Sequence, residues 1–444
     1  MNSLTWRRRC LGSILLLLLV TMTACGDTTT PSPVGGGAPG NGTASGTISF
    51  QVFGEPAEAA PFQEVANAYG ASHPNVSVKI NHIPDQNDYM TRLSAAFTAG
   101  NPPDVFLLSY SRYGQFASRG VLEPLGTWLD KSPTLKATDF YTQALEVYTY
   151  NGVLQCMPLN ISSLTVYYNK DLFQKYNVAL PQPGWKWPDF LKTAQALTKD
   201  LDGNGTIDIY GVGLDPQLNR LAPFIWAHGQ DLVDDPVHPT KLTLDEPLVR
   251  EVIARFVDLS MTYRVTPTEA ETQAEELETR WLNGKLGMFL GARADTAMFR
   301  TVKRFTWDVA PIPADETQAS ILQSEAYCVP AASKNKAAAW DFIQYAAGTE
   351  GQTIVAKLGR AVPTLKSVAT SPVFLDPTQL PANNQMYLDA IPTIRHLPIT
   401  PNWPAVESST DQELERAFYG NVPIDIAIQA AVQKAAVDFA RDPK

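Results

Sequence analysis

Hydrophobic and polar positions change period in a regular way along the first quarter of the chain. Residues 47–53 alternate apolar and polar side chains and stop at Gly54, the period-two pattern of a strand. Residues 61–71 switch to a helical period, with Phe62, Val65, Ala66 and Tyr69 on one face. Residues 76–80 alternate again, and residues 88–99 return to a helical pattern. Residues 103–108 then form a short apolar run, as in a strand covered on both faces. A strand–helix alternation of this kind predicts an α/β lobe with helices on both sides of its sheet. Ligands of such sheets bind beyond the carboxyl ends of the strands. Glu55, after the first strand, and Ser109, Tyr110, Ser111 and Arg112, after the third, are therefore candidate binding residues.

Further along, the pattern is mostly helical. It predicts helices over residues 187–199, 247–263, 272–283, 337–347 and 424–441. No repeat of solenoid period is present. Trp281 and Trp340 lie on apolar helix faces and read as core.

The amino end reads as an address. Arg7, Arg8 and Arg9 precede an apolar stretch at residues 11–22, which is short for a membrane span. Thr23, Ala24 and Cys25 close it. This end resembles a bacterial lipobox, in which the cysteine is lipidated and becomes the new amino terminus. Met22 stands where leucine is usual, and an ordinary signal peptide is the alternative. Residues 26–46 are mostly Gly, Thr, Ser, Pro, Ala and Asn, with Asp27 as the single charge. A segment of that composition stays flexible and suits a tether. The expected division is residues 1–25 as signal, 26–46 as tether and the remainder as globular protein.

Composition narrows the class. The 444-residue chain is 44% apolar and 18% charged, ordinary for a soluble globular protein, and its globular part is long enough for two lobes. A net charge of -10, with no basic cluster after the signal, argues against nucleic-acid binding. Among the five histidines there is no His-Glu-x-x-His zinc motif, and no Gly-x-Ser-x-Gly elbow occurs. Cys156 and Cys328 are the only cysteines of the globular part. In an exported protein they suggest a disulfide, with two buried thiols as the alternative.

Asp200, Asp202, Asn204, Thr206 (through its carbonyl) and Asp208 surround Gly205 in the order that opens an EF-hand loop, so a structural Ca²⁺ is expected there. Position twelve is Gly211 rather than glutamate, and a tight Asx turn is the plainer reading.

Seven stretches together carry a resemblance. They are Gly100-Asn101-Pro102-Pro103-Asp104-Val105; Gly120-Val121-Leu122-Glu123-Pro124-Leu125; Tyr167-Tyr168-Asn169-Lys170-Asp171; Pro183-Gly184-Trp185-Lys186-Trp187-Pro188; Asn283-Gly284-Lys285-Leu286-Gly287; Val329-Pro330; and Ala339-Trp340-Asp341-Phe342. In this order the chain resembles the family 1 extracellular solute-binding proteins, the maltose-binding-protein-like group serving ABC importers. The resemblance implies a type II periplasmic-binding fold: two lobes, each a sheet flanked by helices, with the ligand cleft between them. One lobe would take residues 47–158 plus 330–370, and the other 159–329 plus 371–444. Cys156 and Cys328 would then lie in the crossing strands, where a bond would staple the hinge.

The resemblance also implies capture of a sugar or oligosaccharide by hinge closure and delivery to ABC permease subunits, without catalysis and with no cofactor required. The protein would act as a monomer outside the cytoplasmic membrane, held to it only by a lipid. An exported sensory or adhesion lipoprotein, or a secreted glycoside hydrolase, is the alternative. Sugar sites combine aromatic faces with polar side chains. Trp226 and Trp403 are thus candidate stacking residues, each with a core role as the alternative, and Glu325 is a candidate cleft group. Arg293 stands where many members have tryptophan, so it marks either hydroxyl binding or an acidic sugar. Ser111 stands where an aspartate is frequent.

Overall fold

The computed structural model describes residues 46–441. The expected lipid-bearing Cys25, the signal and nearly all of the tether lie outside these residues. Among the described residues no helix is long and apolar enough to cross a membrane.

The first strand, β1 (Gly46–Phe53), pairs in parallel with β2 (Val76–Ile83) and β3 (Val105–Ser109). Two later strands join antiparallel, β13 (Glu325–Cys328) against β3 and β6 (Met157–Pro158) against β13, giving the order β2-β1-β3-β13-β6. Ile48, Phe50 and Val52 are buried in this sheet, and the Phe50 ring meets Phe62, Phe342 and Tyr327 at 5.8, 5.4 and 5.8 Å. The helix carrying Phe62 is longer than the sequence pattern suggests, Pro56–Ser72 instead of 61–71. Proline at its first position costs no hydrogen bond, because that N–H has no intrahelical partner in any case.

The second sheet has the order β11-β8-β10-β9, from Trp307–Pro311, Thr165–Asn169, Leu286–Gly291 and Tyr210–Gly213. Its core is aromatic. Tyr167 lies 4.9 Å from Phe299 and 5.5 Å from Trp307, and its hydroxyl donates to the Ala292 carbonyl at 2.6 Å. Trp281 is fully buried beside Phe289 and Phe305; Trp340, on a helix packed against the first sheet, is buried against Trp128.

Between the two sheets runs a short ladder, β14 (Ile394–Arg395), β12 (Ser320–Gln323) and β7 (Ser162–Ser163). Here β12 runs antiparallel to β7 and parallel to β14. A two-strand hairpin, β4 (Thr149–Tyr150) and β5 (Val153–Leu154), turns at Asn151-Gly152 with positive φ at both residues, as a type I′ turn demands. The chain thus passes between sheets at β6–β7 and again at β12–β13. The second passage lies at Ser324, ahead of the expected position at Val329, because Glu325–Cys328 already pairs with β3.

Cys156 and Cys328 are bonded. Tyr327 faces Met157 in the β13–β6 ladder, so the bridge joins two neighbouring strands inside the first sheet. It fastens the crossing strands to each other and does not span the two lobes, contrary to the idea of a stapled hinge.

Two helical expectations change. Residues 272–283 form two short helices, Glu269–Ala274 and Leu277–Leu282. Glu275 between them is extended, and Arg280 donates to the Glu271 carbonyl at 2.9 Å, which holds the break. The residues from Trp403 onward, for which the sequence pattern marks no helix, form a sixteen-residue helix, Trp403–Phe418. Pro404 sits in its first turn, where proline starts a helix and does not break it.

Candidate functional site

The wall contributed by the first sheet begins where β1 ends. Gly54 has φ of 107° and turns the chain into Glu55 and the helix Pro56–Ser72. The Glu58 carboxylate folds back to accept the Glu55 N–H at 3.3 Å. A Cβ at Gly54 would stand 2.4 Å from Glu58 Oε2, so only glycine leaves room for that carboxylate. At the carboxyl end of β3, Ser109 pairs in register with Glu325. The Ser109 and Ser111 hydroxyls are 3.4 Å apart, and Gln86 donates to Ser109 at 3.4 Å. Behind them Arg360, 1% exposed, donates to both Glu325 oxygens at 2.8 and 2.7 Å. Burial raises the Glu58 carboxyl above its ordinary range, the Arg360 guanidinium opposes this, and Glu325 reinforces it.

The second wall faces it. The helix Pro56–Ser72 contacts the helix Asp295–Phe299, and Tyr110–Ala117 contacts Trp403–Phe418. Arg112 on Tyr110–Ala117 approaches Glu407 on Trp403–Phe418 at 4.0 Å. Burial raises the Glu407 carboxyl, with Arg112 pulling the other way. One turn further on, Asp411 Oδ1 accepts the Leu218 N–H at 2.7 Å, which fixes the start of the helix Leu218–Ala227. Asp411 is pushed up to about 7, chiefly by burial and further by Glu407. Arg220, on the same helix as Leu218, lies 4.0 Å from Asp215. Asp295 accepts the Ala292 N–H at 2.8 Å and is also pushed up to about 7, by burial first and by Glu58 second. Glu58 of one wall and Asp295 of the other therefore act on each other across the gap.

These placements sort the residues proposed from sequence. Glu55, Ser109, Ser111, Arg112 and Glu325 gather at the first wall. Tyr110 turns aside: it is buried, its hydroxyl accepts the Leu397 N–H at 3.4 Å, and its ring meets His396. Trp226 is buried, and the Arg395 guanidinium covers its ring at 4.8 Å while pairing with Asp231.

Arg293 is not a cleft residue. It is fully buried between the rings of Phe374 and Tyr387, at 5.2 and 5.3 Å, and donates to Asn384 Oδ1 at 2.6 Å. It ties the segment carrying Phe374, Asn384 and Tyr387 to the end of β10, and so it gives no sign of an acidic ligand. Trp403 is likewise fully buried, next to Phe439, because the helix that it opens packs on Ile424–Phe439.

Sequence reading missed Glu58, Arg360, Arg220, Asp295, Glu407 and Asp411. A signal existed for the first, which lies three residues beyond Glu55 past the same strand end, and for the last pair, which is spaced by one helical turn. Arg360 had none.

The acidic loop is compact. Ligand oxygens of Asp200, Asp202 and Asp208 lie within 4.8 Å of one another. Gly203 and Gly205 N–H groups donate to Asp200 at 2.8 Å each, Asn204 accepts from the Thr206 N–H, and Leu201 donates to Asp208 at 2.6 Å. Backbone donors, Gly205 first, hold the Asp200 carboxyl below its ordinary range. Hard oxygen donors fit a Ca²⁺. Gly211 cannot be replaced by the missing glutamate, since a Cβ there would stand 1.9 Å from the Ala194 carbonyl oxygen.

With this geometry in place, comparison with known proteins decides the class. Residues 64–382 match the family model of the bacterial extracellular solute-binding proteins. The chain belongs to that family. The fold of this solute-binding protein matches an ABC substrate-binding protein from Listeria monocytogenes in complex with cycloalternan, with a TM-score of 0.82 and 22% identity over 89% of this chain and 99% of that one. It also matches a solute-binding protein from Thermotoga lettingae bound with alpha-D-tagatose, with a TM-score of 0.77 and 21% identity over 89% and 100%. In sequence it is 25% identical to a maltooligosaccharide ABC transporter solute-binding lipoprotein of Streptococcus pneumoniae over 360 residues, covering 78% of this chain and 77% of that protein. The solute-binding protein is thus a two-lobed α/β protein of an extracytoplasmic family.

Proposed function

We propose that this protein captures a sugar or oligosaccharide between its two lobes outside the cytoplasmic membrane and delivers it to the permease of an ABC importer. The observation that carries this reading is the meeting of polar groups on helices of both lobes, Glu58 with Asp295 and Arg112 with Glu407, beside a ladder of only three short strands. A solute touching both walls favours the closed arrangement by its differential affinity, and a permease can then read the closed shape. The Arg112–Glu407 approach at 4.0 Å is one contact between the two walls. Binding and release require no covalent step.

A thermal-shift screen against mono- and oligosaccharides tests this. A ligand at about a hundred times its Kd adds about 2.7 kcal/mol, which for a chain of this size raises the melting temperature by about 3 °C. A panel in which no carbohydrate shifts the melt would refute the reading.

Lipidation at Cys25 and monomeric action belong to the same proposal. The Met22-Thr23-Ala24-Cys25 sequence supports the anchor, and a Cys25→Ala protein that still partitions into detergent would dismiss it. The loop of Asp200, Asp202, Asn204, Thr206 and Asp208 would hold a structural Ca²⁺, stiffening the end of the helix Trp187–Leu197. An unchanged melt on adding calcium or chelator would rule that out.

A further inference from the structure

The helix Thr349–Lys357 packs on Pro56–Ser72 and on Lys336–Ala346, and both of those pack on β1, so it belongs to the first lobe. A helix leaves its last four carbonyls without partners inside itself. Here the Ile354, Val355 and Ala356 carbonyls accept the Leu358, Arg360 and Gly359 N–H groups at 3.1, 3.1 and 3.0 Å. This is the Schellman pattern, with Gly359 in the left-handed region at φ of 87°. The fourth carbonyl is met by a side chain from elsewhere. Arg300 Nη1 donates to the Lys357 oxygen at 2.7 Å.

Arg300 belongs to the second lobe. It follows the helix Asp295–Phe299, whose Phe299 ring lies 4.9 Å from Tyr167 and 5.4 Å from Phe289 of the second sheet. Arg300 Nε donates to the Leu380 carbonyl at 2.6 Å. Asn383, three residues beyond Leu380, is held by Asp308 and Val309 of β11. One guanidinium therefore joins a carbonyl of its own lobe to a helix end of the facing lobe. A positive charge suits that end of a helix. The surfaces are close: a Cβ at Gly359 would stand 3.0 Å from Arg300 Nη1 and 3.2 Å from Thr296 Cγ2. The glycine that caps the helix is also what lets the lobes approach here. The place is the edge of the cleft. Arg360, the next residue, holds Glu325 in the first wall, and Asp295, at the start of the Arg300 helix, acts on Glu58.

We propose that Arg300 is a positioning residue for solute capture, a clasp beside the cleft that sets how much of the protein stands closed. It need not touch the solute. The proposal rests on the lobe closure described above and not on the identity of the solute. A hydrogen bond from a charged donor, made between the lobes, weights the closed arrangement by about tenfold or more.

The test needs no solute. Spin labels are placed through Ser94→Cys on the helix Gln86–Thr98 of the first lobe and Lys192→Cys on Trp187–Leu197 of the second, both exposed positions. Cys156 and Cys328 are bonded to each other and take no label. Pulsed electron–electron resonance on the whole mature protein then reads the distance between lobes. Arg300→Met, which keeps the length of the side chain and loses its donors, should displace the distance distribution by about 3 Å or more, or add a second population so displaced. Should Arg300→Met not fold, Arg300→Lys, which keeps the charge but not the span between two carbonyls, is read by the same criterion. The control is Ile253→Ala, which weakens the core of the second lobe alone and should leave the distribution as in wild type. A wild-type distribution in the folded Arg300 variants overturns the clasp. An equal displacement in Ile253→Ala overturns it too, because general loosening would then account for the movement. The carbohydrate reading is judged separately, by the melt screen.

Discussion

Removing the Cys156–Cys328 bridge gives a prediction whose size can be worked from the chain itself. The cysteines are 172 residues apart in sequence. Closing a loop of that length removes about 5 kcal/mol of chain entropy from the unfolded state. A globular part of about 400 residues has a melting entropy of roughly 0.8 kcal/mol/K, so losing the bridge should lower the melting temperature by about 6 °C. The double substitution Cys156→Ala with Cys328→Ala is the right perturbation, because both cysteines are fully buried and a reductant reaches them only through opened states. Scanning calorimetry of wild-type and variant proteins is the assay. Ligand affinity should stay within about twofold, since the bridge joins strands of one sheet and travels with one lobe. A melting temperature unchanged within about 1 °C would refute the entropic reasoning. An affinity loss beyond about tenfold would refute the placement of the bridge outside the moving ladder.

Arg360→Met should strip Glu325 of its bidentate partner and leave Glu58 without its main opposing charge. A loss of about 3–5 kcal/mol in urea unfolding is expected, and a change below about 1 kcal/mol would mean that water reaches the pair freely. Asp295 is protonated in the folded protein at pH values where it is ionised in the unfolded chain. Unfolding therefore releases a proton between about pH 4 and about pH 7, and this group makes stability fall as pH rises through that window. Asp295→Asn should remove that part of the slope in melting temperature against pH, and an unaltered slope would discard the assignment. Arg293→Ala should cost about 3 kcal/mol or more, by leaving Asn384 and two ring faces unpartnered, while the folded variant binds ligand as wild type does. Weakened binding in a protein with wild-type stability would return Arg293 to the cleft.

Local pattern revealed the fold far better than the site. Period and strand-end signals located β1, β2 and β3 and the helix behind them, because each buries one face against a single sheet. They also pointed to Glu55 and the Ser109–Arg112 turn, which occupy strand ends. Trp403 and Arg293 were misjudged for one reason: their surroundings come from distant segments. Phe439 covers Trp403, and Asn384 with Phe374 and Tyr387 encloses Arg293. No short window of sequence contains those partners. The facing carboxylates were hidden in the same way, since Glu58 and Asp295 become neighbours only once two sheets are assembled. Glycine spacing hinted at the acidic loop, and Gly211 explains why it departs from a full EF-hand.

The place of β13 in the first sheet has a consequence for timing. It lies between β3 and β6, yet the chain reaches it only after every strand of the second sheet. Until then Phe50 lacks Tyr327, and β3 offers a bare edge along Phe106 to Ser109. A pairing between Ser109 and Glu325 closes slowly, because the intervening chain must be gathered first. The amino-terminal half emerging from a ribosome therefore has no finished sheet to collapse into. Completion of the first sheet is therefore coupled to synthesis of the last strand of the second.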